Sequence, residues 1–202
     1  KYVEPLRKAI VWQDRRTVSQ CKWIKENVKE DIVYNITGLT VDPYFSAPKI
    51  MWIKEHEPNI YKKTHKFLLV HDYIIAKLTE VFITGWDNAS RTMLFDIRKF
   101  DWSDHILDDI GINEEKMPEP YPSGKIVGEV TRKAAEETGF AKGTPVVCGG
   151  GDQQCGAIGV GVVQRGRIKA TTGTGPFLLS CLDKPSFAPN RSVLCTFPAI
   201  PA

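Results

Sequence analysis

The chain has 202 residues, of which 42% are hydrophobic and 25% charged, and its net charge is +3. These values are ordinary for a globular protein, and so small a positive charge argues against a nucleic-acid partner. No run approaches the roughly 20 apolar residues that a membrane helix needs, so we expect no membrane span. No signal peptide opens the chain, and its first residue is Lys rather than Met, so the start is expected to be cut or processed.

The five cysteines lack the close spacing of a zinc site. Cys148 and Cys155 flank the run GGGDQQ, and no histidine lies nearby to complete a metal site. We therefore expect free thiols in a reducing compartment, and hence a cytoplasmic protein.

The first part of the chain predicts a strand followed by helices. A short apolar run at residues 9–12 predicts the strand. The next helix has a predicted buried face of residues spaced by three or four: Val18, Cys21, Ile24 and Val28. A turn at Asp42-Pro43 precedes another helix, for which Ser46 is the predicted N-cap.

Residues 60–79 predict one long helix with the following apolar face: Phe67, Val70, Ile74 and Leu78. The stretch 81–102 predicts a short strand, a polar turn and an apolar run. A short helix is predicted to follow from Ser103, and the proline-rich residues 117–124 predict a loop.

In the second half, a strand over 125–131 precedes a helix that Gly139 ends. Residues 144–163 predict a buried strand, a glycine turn and a helix of small residues. Residues 166–183 predict two strands joined by a Gly-Thr-Gly turn, and the last twenty residues show no clear period. Strands that alternate with helices indicate an α/β or α+β layered architecture.

The run GGGDQQ at residues 149–154 carries the first candidate chemistry. The glycines allow a sharp turn and close approach of a substrate. Asp152 then stands between a strand end and a helix start, where active sites of open α/β sheets lie, and its carboxylate can accept a hydroxyl proton. The alternative is that Asp152 only caps the helix.

Two further motifs are candidates for binding. Backbone N–H groups of the turn at 171–175, TTGTG, can form an anion site, although an ordinary hairpin turn is the alternative. Trp12 and Tyr44 can offer an aromatic face and a hydroxyl to a ligand. Their alternatives are a strand end with a solvated ion pair and a turn with packed aromatic rings. The four histidines share no spacing, so we expect them in the core or on the surface.

Taken in chain order, AIVWQDRRT, TGLTVDPYFSAPKIMWI, NASRTMLFDI, GGDQQ and TTGTGPFLL resemble the FGGY family of carbohydrate kinases. Within that family the segments are most similar to the glycerol kinases. The resemblance runs from about Lys8 to Leu179. It implies the α/β class and a two-domain enzyme of the actin-like, ribonuclease-H-like ATPase fold, with ATP and the acceptor meeting in a cleft between domains.

The resemblance also implies roles for individual residues. Asp152 matches the catalytic base, which also contacts the acceptor, and Gln153 matches a contact to the polyol. Trp12 matches the aromatic wall of the acceptor pocket, Tyr44 a hydroxyl contact and Phe177 the apolar wall across the pocket.

Gly173 and Thr174 match the turn that receives the phosphates of ATP. The implied reaction is in-line transfer of the γ-phosphoryl group to a primary hydroxyl, with Mg²⁺ bridging the phosphate oxygens. Glycerol is the expected acceptor. The stretches PLRKAIVW and RGRIKATTGTGPFLL also resemble kinases of xylulose-type sugars, so a sugar acceptor stays open. A nucleotide-gated binding module without catalysis is the alternative from another functional class.

By the same resemblance, residues 1–160 match the latter part of an N-terminal kinase domain and residues 161–202 the start of a C-terminal one. The chain lacks the opening Asp-Gly-Thr phosphate loop, the Arg-Glu pair before the Trp12 segment, and the adenine-binding region. We therefore expect an internal piece that is inactive alone. The expected assembly is left open between a homodimer and a tetramer.

Overall fold

A computed structural model describes residues 3–173 and 176–199. Its first part is helical. The helices, in chain order, are α1 (Val18–Asn27), α2 (Glu30–Thr37), α3 (Ser46–His56), α4 (Pro58–Lys63) and α5 (Val70–Thr79).

The middle of the chain alternates short strands with short helices. They are β1 (Ile83–Gly85), α6 (Trp86–Ala89), β2 (Phe95–Asp96), β3 (Asp101–Trp102), α7 (Asp104–Ile110), a 3₁₀ turn (Glu114–Lys116) and β4 (Glu119–Tyr121). The rest comprises β5 (Ile126–Glu129), α8 (Arg132–Thr138), β6 (Pro145–Val147), α9 (Asp152–Gly159), β7 (Ile168–Thr171) and β8 (Phe177–Ser180).

The described strands join in pairs. β1 and β4 are parallel, with Ile83 opposite Glu119. The other pairs, β2 with β3, β5 with β6, and β7 with β8, are antiparallel. This is the mixed α/β content that the alternating pattern predicts.

The larger of two apolar cores lies between the N-terminal helices and the segment from α6 to the 3₁₀ turn. Ile24, Val33, Leu39 and Phe95 are fully or almost fully buried in it. A smaller core joins α5 to the sheets through Ile75, Ile83 and Cys148. Burial first, then the negative charges of Asp87 and Asp72, raise the pKa of the Cys148 thiol to about 12, so the thiol stays neutral.

Several expected helix boundaries and faces are wrong. Residues 60–79 do not form one helix: α4 ends at Lys63, and the Phe67 amide donates to the Lys116 carbonyl instead of continuing the helix. α5 then begins a new helical phase at Val70, which is 70% exposed, and it buries Asp72 and Ile75 instead. Helix α2 had no counterpart in the sequence prediction, and Lys29 with φ 72° separates it from α1.

Expectations for the strands also need correction. Residues 9–12 form no strand: Ala9, Val11 and Trp12 are exposed, and no described strand pairs with this run. Residues 117–124, predicted to be a loop, contain β4. This strand is hydrogen-bonded to its parallel partner β1. β6 is not buried, since Val147 is 47% exposed on a two-stranded sheet.

The helix ends expected at Ser103 and Gly139 are confirmed. The Ser103 hydroxyl accepts from the Ile106 amide and begins α7, and α8 ends at Gly139 with φ 80°. The N-cap expected at Ser46 is wrong by one residue: Ser46 is the first residue of α3, and Phe45 stands at the N-cap position. All five cysteines, each within the described ranges, are free thiols. No helix in the described part of the chain is both long and apolar enough to span a membrane.

The segment 187–199 is irregular, as expected, but it packs across the N-terminal half. The Tyr34 hydroxyl donates to the Val193 carbonyl (2.7 Å) and accepts from the Ala188 amide (3.1 Å). The Cys195 amide donates to the Gly38 carbonyl (2.9 Å). The Phe197 ring lies against the aromatic rings of Trp86, Phe95 and Phe100.

Candidate functional site

Two exposed aromatic rings form the first part of the candidate site. Trp12 lies in the turn before α1 and Tyr44 in the turn before α3, and their ring centroids are 5.8 Å apart. Trp12 is 58% exposed and Tyr44 41% exposed. The Arg91 guanidinium lies 5.6 Å from the centroid of the Tyr44 ring, a cation–π distance. The structure thus brings the two predicted aromatic contacts together, and it adds Arg91, which the sequence analysis did not single out.

Ion pairs fix the two turns that carry these rings. Arg15 donates to both carboxylate oxygens of Asp42 (2.8 and 3.3 Å), which joins the Trp12 turn to the Tyr44 turn. Asp42 also accepts from the Tyr44 amide (2.8 Å). Within the first turn, the Arg16 side chain donates to Asp14 and lowers the pKa of that carboxyl to about 2. These charged side chains thus pair with one another, and the pairs hold the two turns that carry the aromatic rings.

The glycine turn at residues 149–151 forms the second part of the site. It connects β6 to α9, and two of its amides are held by side chains. The Gly149 amide donates to Nε2 of His71 (3.0 Å), and the Gly151 amide donates to Oδ2 of Asp87 (2.6 Å). None of the three glycines has a positive φ. At position 150 glycine is required for close approach instead, because a Cβ there would overlap the Ala199 methyl group.

His71 connects this turn to a second buried carboxyl group. Because the Gly149 amide can only donate, Nε2 of His71 must accept, and the ring proton lies on Nδ1, 3.0 Å from Oδ1 of Asp72. Asp72 is 1% exposed and also accepts from the Leu69 amide. Burial is the main cause that raises the pKa of Asp72, against the opposing effect of the His71 hydrogen bond.

Asp152 is the first residue of α9 and is exposed. Its Oδ1 accepts from the Gln153 amide (2.8 Å). The helix N-terminus favours a negative charge at this place. The position that caps α9 is occupied by Gly151, so capping alone does not account for the carboxylate. Its role as a base stays a prediction.

Gln153 has its side-chain oxygen occupied. Lys169 of β7 donates to Oε1 of Gln153 (2.7 Å). The Lys169 ammonium group can only donate, so the side-chain oxygen of Gln153 must face it. The Nε2 group of Gln153 then remains available as a donor. Lys169 is a second residue that the sequence analysis did not single out.

The β7–β8 hairpin carries the remaining predicted residues. Phe177 begins β8 opposite Thr171 and is 53% exposed. Gly173 is exposed in the connection between the strands, and Thr174 lies outside the described residues. No described ring contact joins Phe177 to Trp12 or Tyr44, so their predicted position across one pocket stays a prediction.

Helix α6 and the residues just after it connect the two parts of the site. Asp87 binds the glycine turn, while Arg91, four residues later, stacks on Tyr44. The aromatic pair and the glycine turn are therefore both anchored to one short stretch of chain, residues 87–91. Ser90, between them, hydrogen-bonds the Thr196 hydroxyl (2.6 Å), which Gln154 also approaches at 3.5 Å.

Within the described ranges, no group of three or more His, Cys, Asp or Glu residues could hold a metal ion. A cavity of about 440 Å³ lies elsewhere, between the 3₁₀ turn and β4, and includes Trp102 and Glu114 in its lining. Burial, and then the neighbouring acids Asp104 and Asp101, raise the pKa of Glu114. None of the predicted site residues lines this cavity.

Comparison with known proteins gives a match over most of the chain. Residues 1–159 match the model of the N-terminal domain of the FGGY family of carbohydrate kinases. A xylulose kinase of Bacillus subtilis is 38% identical over 175 residues, which are 87% of this chain and 35% of that protein. Glycerol kinase 2 of Saccharolobus solfataricus is 40% identical over 196 residues, which are 93% of this chain and 37% of that protein.

The fold is shared with solved structures of such enzymes. The glycerol kinase of Plasmodium falciparum, solved with ADP, superposes with a TM-score of 0.80 at 29% identity, over 87% of this chain and 36% of that one. This likeness confirms the expected actin-like ATPase fold class. The chain therefore spans little more than a third of the length of the kinases it matches.

Proposed function

The chain belongs to the FGGY family of carbohydrate kinases, and from that membership we propose that it serves ATP-dependent phosphorylation of a primary hydroxyl of a polyol or sugar. The observation that carries the proposal is Asp152. Its carboxylate is exposed at the start of α9, directly after a turn whose amides are held on both sides. A general base needs both features, access to the substrate and a fixed position.

In the proposed reaction, Asp152 accepts the proton of the attacking hydroxyl as its oxygen bonds to phosphorus. Phosphoryl transfer depends mostly on positioning and on stabilising charge, so the base acts late. The Nε2 group of Gln153 donates to an oxygen of the polyol or sugar, because Lys169 already occupies Oε1 of Gln153. The acceptor hydroxyl is thus held between a proton acceptor and a hydrogen-bond donor on consecutive residues.

Trp12 and Tyr44 are proposed to form one wall of the acceptor pocket. Their exposed rings offer an apolar face to the C–H groups of a polyol, and the Tyr44 hydroxyl can hydrogen-bond to its oxygens. Phe177 is proposed as the facing wall. If the two walls enclose the polyol or sugar, they exclude water, which would otherwise compete as an acceptor of the phosphoryl group.

Gly173 and Thr174 are proposed to receive the phosphates of ATP at the β7–β8 turn. Mg²⁺ enters with ATP in this proposal, and it supplies neutralisation of charge on the phosphate oxygens. Free thiols at all five cysteines support a cytoplasmic location.

Glycerol is the first acceptor that we propose, and xylulose is the second. Relatives called glycerol kinase and xylulose kinase match the chain at 40% and 38% identity. Such similar values favour neither acceptor. A binding module without catalysis is the alternative from another class, but the exposed rings of Trp12 and Tyr44 have no evident use in it.

The test is an acceptor panel on the full-length protein, followed by Asp152→Asn. We expect ADP release to depend on glycerol or on xylulose, and the variant to lose about 10²–10⁴-fold in kcat, the usual contribution of a general base. The Kd for ATP should stay within about twofold, because Asp152 touches the acceptor and not the nucleotide. Asp109→Asn, an exposed acid on α7, is the matched control.

Acceptor-independent ATP binding that tolerates Asp152→Asn would favour the non-catalytic module. Retained turnover by Asp152→Asn would remove this residue as the base. Turnover of both acceptors would be resolved by comparing kcat/KM for glycerol with that for xylulose.

A further inference from the structure

The geometry points to Asp87 as a positioning residue for Asp152, an inference that rests on the proposed function. Asp87 lies in α6, and its side chain is completely buried. Its Oδ2 accepts from the Gly151 amide (2.6 Å), and its Oδ1 accepts from the Ser123 hydroxyl (2.7 Å). Gly151 immediately precedes Asp152, so the buried carboxylate holds the backbone on which the proposed base stands.

The cost of burying this carboxylate indicates a specific use. Its described partners are an amide and a hydroxyl, and no Lys, Arg or His of the described part pairs with it. Burying a carboxyl group costs free energy unless its oxygens accept hydrogen bonds, and both oxygens of Asp87 accept one, each from a different segment of the chain. Hydrogen bonds to an ionised acceptor are shorter and stronger than neutral ones, which suits a group that must fix an amide.

The surrounding residues make room for the carboxylate. A Cβ on Gly85 would lie 2.6 Å from Oδ1 of Asp87 and 3.0 Å from Sγ of Cys148. A side chain at position 85 would therefore displace Asp87.

Asp87 acts on one side of the turn, and the His71–Asp72 pair acts on the other. His71 accepts from the Gly149 amide, so the backbone is anchored two residues apart by side chains from α5 and α6. The Asp152 carboxylate itself has only the neighbouring Gln153 amide as a described partner. Its direction therefore depends on the turn behind it, and a displacement of about 1 Å at a reacting group can cost about 10²-fold in rate.

The test is Asp87→Asn in the full-length protein. Asn has the same shape, but its Nδ2 can only donate: turned toward the Gly151 amide it breaks that bond, and turned toward the Ser123 hydroxyl, which can rotate to accept, it leaves Gly151 the weaker amide oxygen as acceptor. We expect kcat to fall about 10- to 100-fold, and the KM for ATP to stay within about twofold. Asp108→Asn, an exposed acid on α7, should keep the wild-type kcat.

A second control separates positioning from general loss of stability. Ile24→Val removes one buried methylene from α1, in the larger core, where none of the predicted site residues lies. It should lower Tm without changing kcat. A kcat for Asp87→Asn equal to wild type, or a loss no larger than that of Ile24→Val at equal fractions folded, would overturn the role of Asp87.

Amide hydrogen exchange on the full-length protein provides a readout independent of activity. Asp87→Asn should speed exchange at Gly151 by about tenfold or more, while Ile24→Val leaves it near wild type. Unchanged exchange at Gly151 would overturn the proposal. Absence of phosphoryl transfer in the wild-type full-length protein would overturn the proposed function as well, whereas wild-type transfer with an unaffected Asp87→Asn variant overturns only the positioning role.

Discussion

At the scale of single residues, the glycine turn shows that a glycine can be required by close packing even where its backbone angles suit any residue. Gly149, Gly150 and Gly151 all have backbone angles that other residues adopt. What excludes a side chain at position 150 is the closeness of Ala199, and a Cβ there would also lie 2.9 Å from Sγ of Cys155. The turn is therefore a packing contact as well as a support for Asp152.

Gly150→Ala should consequently destabilise the chain. Forcing a methyl group into a filled space typically costs about 1–3 kcal/mol of the free energy of unfolding, which urea denaturation would measure. Gly159→Ala, at the end of the same helix α9, is the control, because nothing lies within 4 Å of its added Cβ. There the better helix propensity of Ala should leave stability unchanged or raise it by up to about 1 kcal/mol. Equal effects at both positions would contradict the steric explanation.

The candidate site was partly predictable at this scale. The place of Asp152 at a helix start follows from local sequence, since glycines followed by a short helical pattern define it. The role of Asp87 does not, because its partner Gly151 is 64 residues away in the sequence. Only the folded chain brings the two together, and the same holds for His71 with Gly149 and for Lys169 with Gln153.

At the scale of elements, helix α2 is the main attachment point for the irregular segment 187–199. The buried Tyr34 ring packs against Phe187 at 5.7 Å between centroids, and its hydroxyl makes the two bonds to Val193 and Ala188. Arg191 pairs with Asp31 of the same helix. A segment without repeating structure is thus ordered by side chains of an element far away in the sequence.

Tyr34→Phe should weaken this attachment and lower the free energy of unfolding by about 1 kcal/mol, the usual net contribution of a hydrogen bond. The loss is modest because Val193 and Ala188 can bond to water instead. Tyr73→Phe on α5 is the control, since the described residues form no hydrogen bond with the Tyr73 hydroxyl. Thermal unfolding of the two variants side by side measures the difference, and a Tyr34→Phe variant as stable as wild type would contradict the assignment.

The buried face of a helix could be predicted from the sequence only where the helix boundaries were also predicted correctly. In α1, Cys21, Ile24 and Val28 are buried as their spacing predicts, whereas Val18, in the first turn, is 58% exposed. In residues 60–79 the predicted apolar spacing has the period of a helix, but it assigns the buried face to the wrong residues. The interruption after α4 depends on the bond from Phe67 to the Lys116 carbonyl, a tertiary contact that no local pattern encodes.

At the scale of the whole molecule, the chain spans 35–37% of the two curated kinases compared above. It contains the proposed base and acceptor contacts, while the proposed phosphate contacts are limited to the β7–β8 turn. Phosphoryl transfer requires the phosphates and the acceptor to be held together in line. We therefore propose that the 202-residue chain does not complete the reaction by itself.

An ADP-release assay on the 202-residue chain, with glycerol and with xylulose, should show no turnover above background. The xylulose kinase of Bacillus subtilis, assayed under the same conditions with xylulose, is the positive control. Measurable, acceptor-dependent turnover by the chain would show that its own residues suffice to hold ATP.

The packing of segment 187–199 against α2 has a consequence for how the chain acquires its structure. Tyr34 leaves the ribosome 159 residues before its partner Val193, and at about 5–20 residues per second this interval lasts roughly 8–32 s. During that time the surfaces around Tyr34, Gly38 and Phe95 lack their final cover. Contacts of such sequence separation slow folding, so these surfaces are exposed to aggregation until residues 187–199 have been synthesised and can cover them.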